Sequence, residues 1–343
     1  MTLTFDLDAM KKAISLAVVG ADIYTVCQTV DAFIEDEVKK VFNGKKTKKL
    51  ERGIAFPTCI SVNHIVGHYS PLVDESVPLK EGDVAKIICG AHIDGYASNT
   101  AVTVVVGDSK VDGRKADVVL AAYHAIKAAE RVIRDQGTNQ EVTEAISKVT
   151  AQYDCNAVEG VLSHTIKKYC IDGNNAIIGK ETPTQSVEEW TFVPGEVIGL
   201  DIYVSTGEGK PKLGEQRTTV YKREIQNTYN LKIQKSRALF SEVTKRFPTL
   251  PFSLRAFEDQ TGAKVGVREC IDHELIQAYP VLVEKEGEYV AHFKSTVIIL
   301  AKSTQVIAGA LPFDTARFEA TATKKIENEE VKALVTRDLW KKQ

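Results

Sequence analysis

The stretch KIICGAHIDGYASNTAVTVVVG, residues 86–107, is typical of two β-strands joined by a tight turn. Apolar runs flank a central segment with two glycines, a histidine and an aspartate, and Gly95 supplies the permissive backbone that a turn needs. Two adjacent strands of this kind are a natural place for metal-binding carboxylates. The first strand, however, ends in an Ile-Ile-Cys run, and the second carries Asn99. The pattern predicts a hairpin that carries an isoleucine pair and an asparagine where metal-binding carboxylates could lie.

The composition indicates a soluble globular protein. The chain has 343 residues, of which 43% are hydrophobic and 26% charged, and its formal net charge is −2. A nearly neutral chain is not a general nucleic-acid binder, so any such role must come from local patches. No apolar stretch approaches the length of a membrane span, and the six cysteines are scattered without a CxxC pair. We therefore expect a cytoplasmic protein with buried, reduced thiols and no membrane partner.

The pattern of apolar residues predicts a mixed α/β fold that is mostly antiparallel. An amphipathic helix is expected over residues 24–42, and strands alternate with turns before and after two further helices. Residues 279–301 predict a hairpin with its turn at Lys285–Gly287. Between residues 212 and 275 the character changes, and a short helix there places four apolar residues on one face. We predict one domain over residues 1–343, with a helical insertion at 212–275.

Six segments together resemble one protein family. They are GIAFPTCISVNHIVGHYSP (53–71), EGDVAKIICGAHIDG (81–95), SHTIKKYCIDG (163–173), IGLDIYVSTGEG (198–209), QRTTVYKR (216–223) and LPFSLRAFED (250–259). They resemble the methionine-aminopeptidase-like superfamily and, within it, the proliferation-associated, ErbB-receptor-binding branch. The resemblance runs from about residue 13 to residue 310. It implies an α/β (α+β) chain with the pita-bread fold of the methionine aminopeptidases.

The resemblance also implies where a metal site would be. In the peptidases, five carboxylate or imidazole side chains hold two metal ions, which repel each other unless bridging carboxylates neutralise them. The five positions fall on Ile88, Asn99, His164, Asp201 and Lys294. Only the histidine and the aspartate can still bind a metal, while the lysine places an ammonium where a dication would lie. The resemblance therefore implies a non-catalytic protein without metal or cofactor.

One more position, His68, belongs to this degenerate pocket. His68 keeps the place of a histidine outside the metal shell, and a further histidine position falls on Asp172. An isolated ammonium in a pocket is costly, so we predict that Lys294 forms an ion pair with Asp201. One alternative is an active or metal-free pita-bread hydrolase, the metal-free form with His68 as general base, although no oxyanion-stabilising groups are evident. Another is a protein–protein adaptor that uses the old substrate cleft.

Two basic regions point to a different function. Residues 39–52 carry seven Lys or Arg against one acid, and residues 222–268 carry ten against four. A single basic run is usually just a solvent-exposed face of the protein. Two basic regions in a protein whose catalytic site is degenerate favour contacts to RNA phosphates. Without an aromatic base-reading motif, RNA shape and backbone would be recognised. The candidate residues are Lys45, Lys46, Lys48, Lys49, Arg52, Lys222, Arg223, Lys232, Lys235, Arg237, Lys245, Arg246, Arg255 and Lys264.

The resemblance points to the same partners. Members of this branch bind structured RNA and the large ribosomal subunit, and the insertion contacts ribosomal RNA. We therefore expect a monomeric, RNA- and ribosome-associated factor linked to growth and translation control, located in the cytoplasm and also in the nucleus. On the predicted helix of the insertion, Arg237 and Lys245 should face outward because the apolar residues face inward.

Overall fold

The structure is a computed structural model that describes residues 4–44, 47, 49–309 and 311–342. Among these, the helices are α1 (Thr4–Leu16), α2 (Ile23–Lys40), α3 (Gly113–Val132), α4 (Asn139–Gln152), α5 (Gln234–Arg246), α6 (Gln260–Asp272), α7 (Ala316–Glu319) and α8 (Glu329–Thr336). Short 3-10 turns occupy Val73–Glu75 and Leu254–Ala256. None of these helices has the length and apolar character needed to cross a membrane.

Fifteen strands form three sheets in the described part of the chain. The strands are β1 (Arg52–Val62), β2 (Ile65–Gly67), β3 (Val84–Ile93), β4 (Tyr96–Val105), β5 (Asn156–Ala157), β6 (Leu162–Thr165), β7 (Ala176–Ile178), β8 (Val197–Ser205), β9 (Lys212–Leu213), β10 (Val220–Arg223), β11 (Phe252–Ser253), β12 (Ile276–Tyr279), β13 (Leu282–Val283), β14 (Val290–Ile299) and β15 (Thr304–Ala308). The largest sheet runs β1-β3-β4-β14-β8-β6-β7, with β15 beside β14 and β5 beside β8. The smaller sheets are β11-β10-β12 and β2-β13-β9.

The predicted mixed α/β fold with mostly antiparallel strands is confirmed, since the strand pairs of all three sheets are antiparallel. The hairpin of residues 86–107 is β3 and β4, and Gly95 has a φ of +76° in its turn. Helix α3 packs against β14 and β8. Its alanines are buried because a small side chain lets the helix lie close to the sheet. One face of the large sheet is thereby covered by helices.

The hairpin predicted at residues 279–301 is wrong in its pairing. The turn is present, with Glu288 N donating to the carbonyl of Lys285 at 3.1 Å and Gly287 at a φ of +89°. The strands on its two sides belong to different sheets, because β13 pairs with β2 and β9 whereas β14 pairs with β8, β4 and β15. A turn reverses the chain locally, but burial in the core selects the partner of a long apolar strand.

Residues 212–275 contain more than the predicted helix. Helices α5 and α6 pack on each other beside the strands β10 and β11, around an apolar cluster of their own. Their close approach requires Gly266, since a Cβ there would lie 2.7 Å from the carbonyl oxygen of Lys235. Leu239 and Val243 of α5 are buried, and Arg237 and Lys245 are exposed, as predicted. All six cysteines are free thiols, and five of them are buried.

Candidate functional site

The centre of the large sheet carries a row of directly opposed residues. Ile88 on β3 lies opposite Ala101 on β4, and Lys294 on β14 lies opposite both Ala101 and Asp201 on β8. Opposed residues of antiparallel strands point to the same face of the sheet, and so do residues two apart on one strand. Asn99 on β4 therefore lies on the same face as this row. The register thus brings together residues that are widely separated in the sequence.

This face of the sheet opens into a cavity of about 340 Å³. The cavity lies between the large sheet, the β2-β13-β9 sheet and strand β12 of the third sheet. All six residues of the predicted degenerate pocket line it, together with Asp172. The lining residues are Phe56, Val66, Gly67, His68, Ile88, Asn99, Gly160, Val161, Leu162, His164, Ile166, Ile171, Asp172, Gly199, Asp201, Tyr203, Gln277, Tyr279, Leu282 and Lys294.

The predicted ion pair between Lys294 and Asp201 is confirmed. The ammonium of Lys294 donates to one carboxylate oxygen of Asp201, and the side chains are 15% and 17% exposed. The other oxygen lies 2.6 Å from Nε2 of His292. Burial opposes the ionised form of Asp201, but the ammonium and the imidazole outweigh it and hold the pKa of this carboxyl well below its usual value. The carboxylate therefore stays ionised and already has two partners.

His292 is a site residue that the sequence analysis missed. Its ring is buried and stacks on Tyr203, with a centroid separation of 3.7 Å and an interplanar angle of 10°. Burial lowers the pKa of His292, although the Asp201 carboxylate acts in the opposite direction. His292 lies two residues before Lys294 on β14, so the two-residue period of a strand could have revealed it.

His68 directly follows strand β2, and its ring lies near the aromatic rings of Phe56 and Tyr279. Its backbone has a φ of +64°, and its Nδ1 lies 3.1 Å from the carbonyl oxygen of Pro280. The ring meets Tyr279 edge to face at a centroid distance of 5.3 Å, and Phe56 lies near both rings. Burial lowers the pKa of His68. The His68 side chain is therefore a neutral imidazole that lines the cavity with a polar group.

Strand β6 and the loop that follows it form another wall of the cavity. His164 on β6 has its Nδ1 2.9 Å from the carbonyl oxygen of Gly173. Asp172, from the same loop, accepts a hydrogen bond from the ammonium of Lys222 on β10. This ion pair joins the cavity wall to the insertion. Lys222, a predicted RNA-binding residue, is thus only 16% exposed and is occupied by a carboxylate.

Asn99 lines the cavity, but its side chain is almost completely buried. It is 2% exposed, and its Oδ1 has no hydrogen-bond partner among the described residues. Its side chain lies over the backbone of Gly90, where an added Cβ would be 1.8 Å from Oδ1. Gly90 is opposite Asn99 in the β3–β4 pairing, so the glycine makes room for the amide. The amide oxygen is therefore buried against the backbone of Gly90.

The residues of the cavity do not fit a two-metal centre. Among the described residues, no group of three or more His, Cys, Asp or Glu side chains could hold a metal ion. Both oxygens of Asp201 are already engaged, and the nearest competing charge is the positive one of Lys294. A dication at this position would need bridging carboxylates to offset charge repulsion, and Ile88 and Asn99 supply none.

The predicted RNA-binding residues differ in how exposed their side chains are and in whether these side chains already have partners. Lys45, Lys46 and Lys48 lie outside the described residues. Lys49 is exposed. Arg52 donates to the backbone carbonyls of Val41, Phe42, Thr47 and Leu50, and so connects the end of α2 to β1.

Arg255 is not available to RNA, and its assignment as an RNA-binding residue is wrong. Its side chain is 2% exposed and donates to Asp31 of α2 at 2.5 Å and to the carbonyl of Thr58 at 3.1 Å. It also donates to the hydroxyl of Ser70. Buried guanidinium groups need such partners because desolvation is costly. Arg255 therefore anchors the insertion to the core.

The other cations of the insertion remain nearer the surface. Lys235, Arg246 and Lys264 form ion pairs with Asp259, Glu242 and Asp74. Arg223 donates to the carbonyl of Pro248 and lies over the ring of Phe240. Between residues 222 and 268, four exposed cations have no carboxylate partner among the described residues, and these are Lys232, Arg237, Lys245 and Arg268.

The chain matches the model of metallopeptidase family M24 over residues 6–219, so it belongs to that family. Its relatives place it with the ErbB-3-binding, proliferation-associated proteins of this family. It is 46% identical over 316 residues to ErbB-3 binding protein 1 of Solanum tuberosum, covering 91% of this chain and 80% of the relative. It is 41% identical to proliferation-associated protein A of Dictyostelium discoideum, covering 97% and 86%. It is 39% identical to the curved DNA-binding protein of Schizosaccharomyces pombe, covering 96% and 86%.

Solved structures confirm the pita-bread fold. The structure of a thermophilic Arx1 matches with a TM-score of 0.89 and 30% identity, covering 99% of this chain and 97% of that one. A methionine aminopeptidase from Thermotoga maritima matches with a TM-score of 0.58 and 18% identity, covering 89% and 92%. At that identity the second likeness concerns the fold alone. The predicted family and the predicted fold are both confirmed.

Proposed function

We propose that this protein is a non-catalytic member of the M24 family that binds structured RNA and the large ribosomal subunit in translation and growth control. The observation that carries the first part is the ion pair between Lys294 and Asp201. It places a cation of the chain itself at the carboxylate that the resemblance assigns to a metal. A peptidase of this family needs a metal-bound water as nucleophile, and this set of residues is not suited to holding one.

We expect the purified protein to contain no stoichiometric Co, Mn or Zn and to release no methionine from a peptide that begins with Met-Ala. The physical reason is that two ligands cannot hold a dication beside an ammonium. Elemental analysis after incubation with each metal and removal of the excess would measure the first part, and amino-acid analysis the second. One metal ion per chain that is lost on Asp201→Asn would contradict the proposal.

The second part of the proposal is supported by the surface of the insertion. Lys232, Arg237, Lys245 and Arg268 are exposed without carboxylate partners among the described residues, so binding a phosphate would break no ion pair. The pair of Lys235 and Asp259 is more than half exposed and contributes little, so this lysine could also turn to RNA. The name of the fission-yeast relative assigns DNA binding to that protein, which supports nucleic-acid phosphate as the ligand class here.

We expect the triple charge reversal of Lys232, Lys245 and Arg268 to glutamate to weaken binding to large ribosomal subunits by at least about tenfold. Each lost phosphate contact should also lower the salt dependence of the logarithmic affinity by about 0.9. Cosedimentation at several salt concentrations would measure both effects. Arg246 is left unchanged because it donates to Glu242 and to the carbonyl of Ala256, so its reversal would disturb the fold.

A matched control has the same change of net charge elsewhere. Lys110, Lys302 and Lys325 are exposed and form no ion pair among the described residues. Their reversal to glutamate should leave cosedimentation close to that of the unaltered protein. If the insertion variant cosediments as well as this control, the insertion is not the docking surface.

A second candidate function is that of a protein–protein adaptor. The potato relative is named for binding ErbB-3, a protein, and the cavity is large enough for a side chain of a partner. Loss of the RNA interaction without loss of a protein partner in the triple variant would favour it. We further propose that the protein acts as a monomer in the cytoplasm and the nucleus.

A further inference from the structure

The loop between β6 and β7 carries a short turn beside the cavity. Lys167 and Cys170 close this turn by exchanging two backbone hydrogen bonds, at 2.8 and 2.9 Å. The next two residues, Ile171 and Asp172, line the cavity. Residues 167–172 are called the turn segment below. Because its turn is closed by hydrogen bonds of its own, the segment can move without breaking the ladders of the large sheet.

Both ends of the turn segment are fixed to the sheet. On one side, Ile166 N donates to the carbonyl of Val197 on β8 at 2.7 Å. On the other side, Gly173 N donates to the carbonyl of Thr165 on β6 at 2.9 Å. A movement of the segment is therefore confined between these two anchored positions.

The apolar contact of the turn segment is Ile171. This side chain packs against the cluster that contains Phe56 and Ile88, and it is only partly buried. A partly buried isoleucine contributes less to stability than one in the core, because less of its surface is removed from water. Ile171 therefore covers the apolar wall of the cavity without being held there strongly.

Polar contacts hold the turn segment against the turn between β3 and β4. Tyr169 N donates to the carbonyl of Gly95 at 2.8 Å, and the Tyr169 hydroxyl donates to Glu51 at 2.8 Å. Lys168 forms an ion pair with Asp94 in which the side chains are 43% and 32% exposed. Such exposed pairs contribute little. Tyr169 also has a φ of +61°, which is unfavourable for a residue with a large side chain.

A single ion pair holds the other side of the turn segment. Asp172 accepts a hydrogen bond from the ammonium of Lys222 on β10, and the two side chains are 31% and 16% exposed. The thiol of Cys170 also donates to Asp172, at 3.7 Å. Because this ion pair is less exposed than that of Lys168 with Asp94, solvent screens it less. It is therefore the stronger of the two ionic contacts of the segment.

We infer that the turn segment is a lid of the cavity, which the ion pair of Asp172 with Lys222 holds closed and whose opening uncovers the apolar wall at Ile88. Opening withdraws Ile171 from that wall and leaves room for an apolar group from outside. The inference is independent of RNA and ribosome binding, because it uses only contacts among the walls of the cavity.

Cys170 makes the opening measurable, because it lies in the turn segment and the other five cysteines are buried. Alkylation of the full chain by iodoacetamide, followed by peptide mass spectrometry, gives the rate at each cysteine. We expect Lys222→Met and Asp172→Asn each to raise the rate at Cys170 by at least about fivefold, since either change removes the ion pair. Thermal melting would show that each variant is folded at the temperature of the assay.

The two variants also distinguish opening from a direct effect of charge on the thiol. In a segment that stays closed, loss of the Lys222 ammonium disfavours the reactive thiolate and slows alkylation, whereas loss of the Asp172 carboxylate accelerates it. Opening accelerates both. The double variant, Lys222→Met with Asp172→Asn, leaves the local net charge unchanged and should also react faster than the unaltered protein.

Lys110→Met is the matched control, because Lys110 is exposed and forms no ion pair among the described residues. Its rate at Cys170 should equal that of the unaltered protein. Opposite changes in the two single variants, or a double variant as slow as the unaltered protein, would show a fixed wall and overturn the inference. Equal acceleration at the five buried cysteines would indicate global unfolding and would overturn it as well.

Discussion

Replacing Lys294 with methionine is expected to lower the free energy of unfolding by about 3–5 kcal/mol at neutral pH. The variant keeps most of the side-chain volume but removes the ammonium that neutralises Asp201. The carboxylate is then buried, and the His292 ring is its only remaining side-chain partner among the described residues. Urea denaturation followed by circular dichroism would measure the change, provided that the transition is cooperative.

The pH dependence of this effect has a definite sign. The pKa of Asp201 is held low in the folded protein, so the contribution of the pair is present above the usual aspartate pKa of about 3.9 and is lost as the pH falls through the lower folded value. In the variant, burial acts without the ammonium and raises the pKa of Asp201. The folded variant then takes up a proton in mild acid, so its deficit relative to the unaltered protein shrinks as the pH falls.

A double variant serves as the control for the pair. Lys294→Met with Asp201→Asn removes both charges and should recover a large part of the lost stability, because no charge is left unpaired. A loss below about 1 kcal/mol for the single variant would mean that the pair is effectively exposed. The proposal that the ammonium excludes a metal would then lose its main support.

Replacing Arg255 with methionine is expected to lower the free energy of unfolding by a similar amount, about 3–5 kcal/mol. The guanidinium joins the insertion to α2 through Asp31 and to β1 through the carbonyl of Thr58. Its loss strands a carboxylate that is 16% exposed and leaves a backbone acceptor with one donor fewer. Chemical denaturation would measure the loss, and limited proteolysis would show whether the insertion is released first.

Arg255→Lys separates a structural role from a role in RNA binding. The lysine keeps the positive charge but cannot reproduce the fork of donors that contacts Asp31, Thr58 and Ser70. We expect it to be destabilised as well, while each folded molecule binds ribosomal subunits as before. A variant of native stability with weakened binding would return Arg255 to the RNA-binding surface.

The location of the candidate site could be predicted from the sequence to a large extent. The six residues His68, Ile88, Asn99, His164, Asp201 and Lys294 line one cavity, as the resemblance implied. The resemblance made this possible, because it assigns these positions to the metal site of the peptidases. Strand periodicity adds that Asn99 shares a face with Ala101, which lies opposite Ile88. The pairing of Lys294 with Asp201 followed from the cost of an isolated buried charge.

The sequence did not show which of the predicted RNA-binding lysines and arginines are exposed and free to bind RNA. Arg255 and Lys222 looked like neighbours in one basic run, but Arg255 is buried against Asp31, which is 224 residues away in the sequence. Charge is a property of the residue itself, whereas exposure depends on which distant segments pack over it. The same reason explains why the strand partners of β13 and β14 were missed.

The sequence by itself determined which residues belong to the site, through the resemblance of their segments to the peptidases. The turn at Gly95 and the two-residue period of β-strands also place Ile88 and Asn99 on one face. Only the tertiary structure decided how these residues are used. It brought His292 to Asp201, placed Asn99 over Gly90 without a partner for Oδ1 among the described residues, and buried Arg255 between the insertion and the core. Each of these outcomes depends on packing between segments far apart in the chain. This packing decides both which polar groups lose their water and which partners they gain.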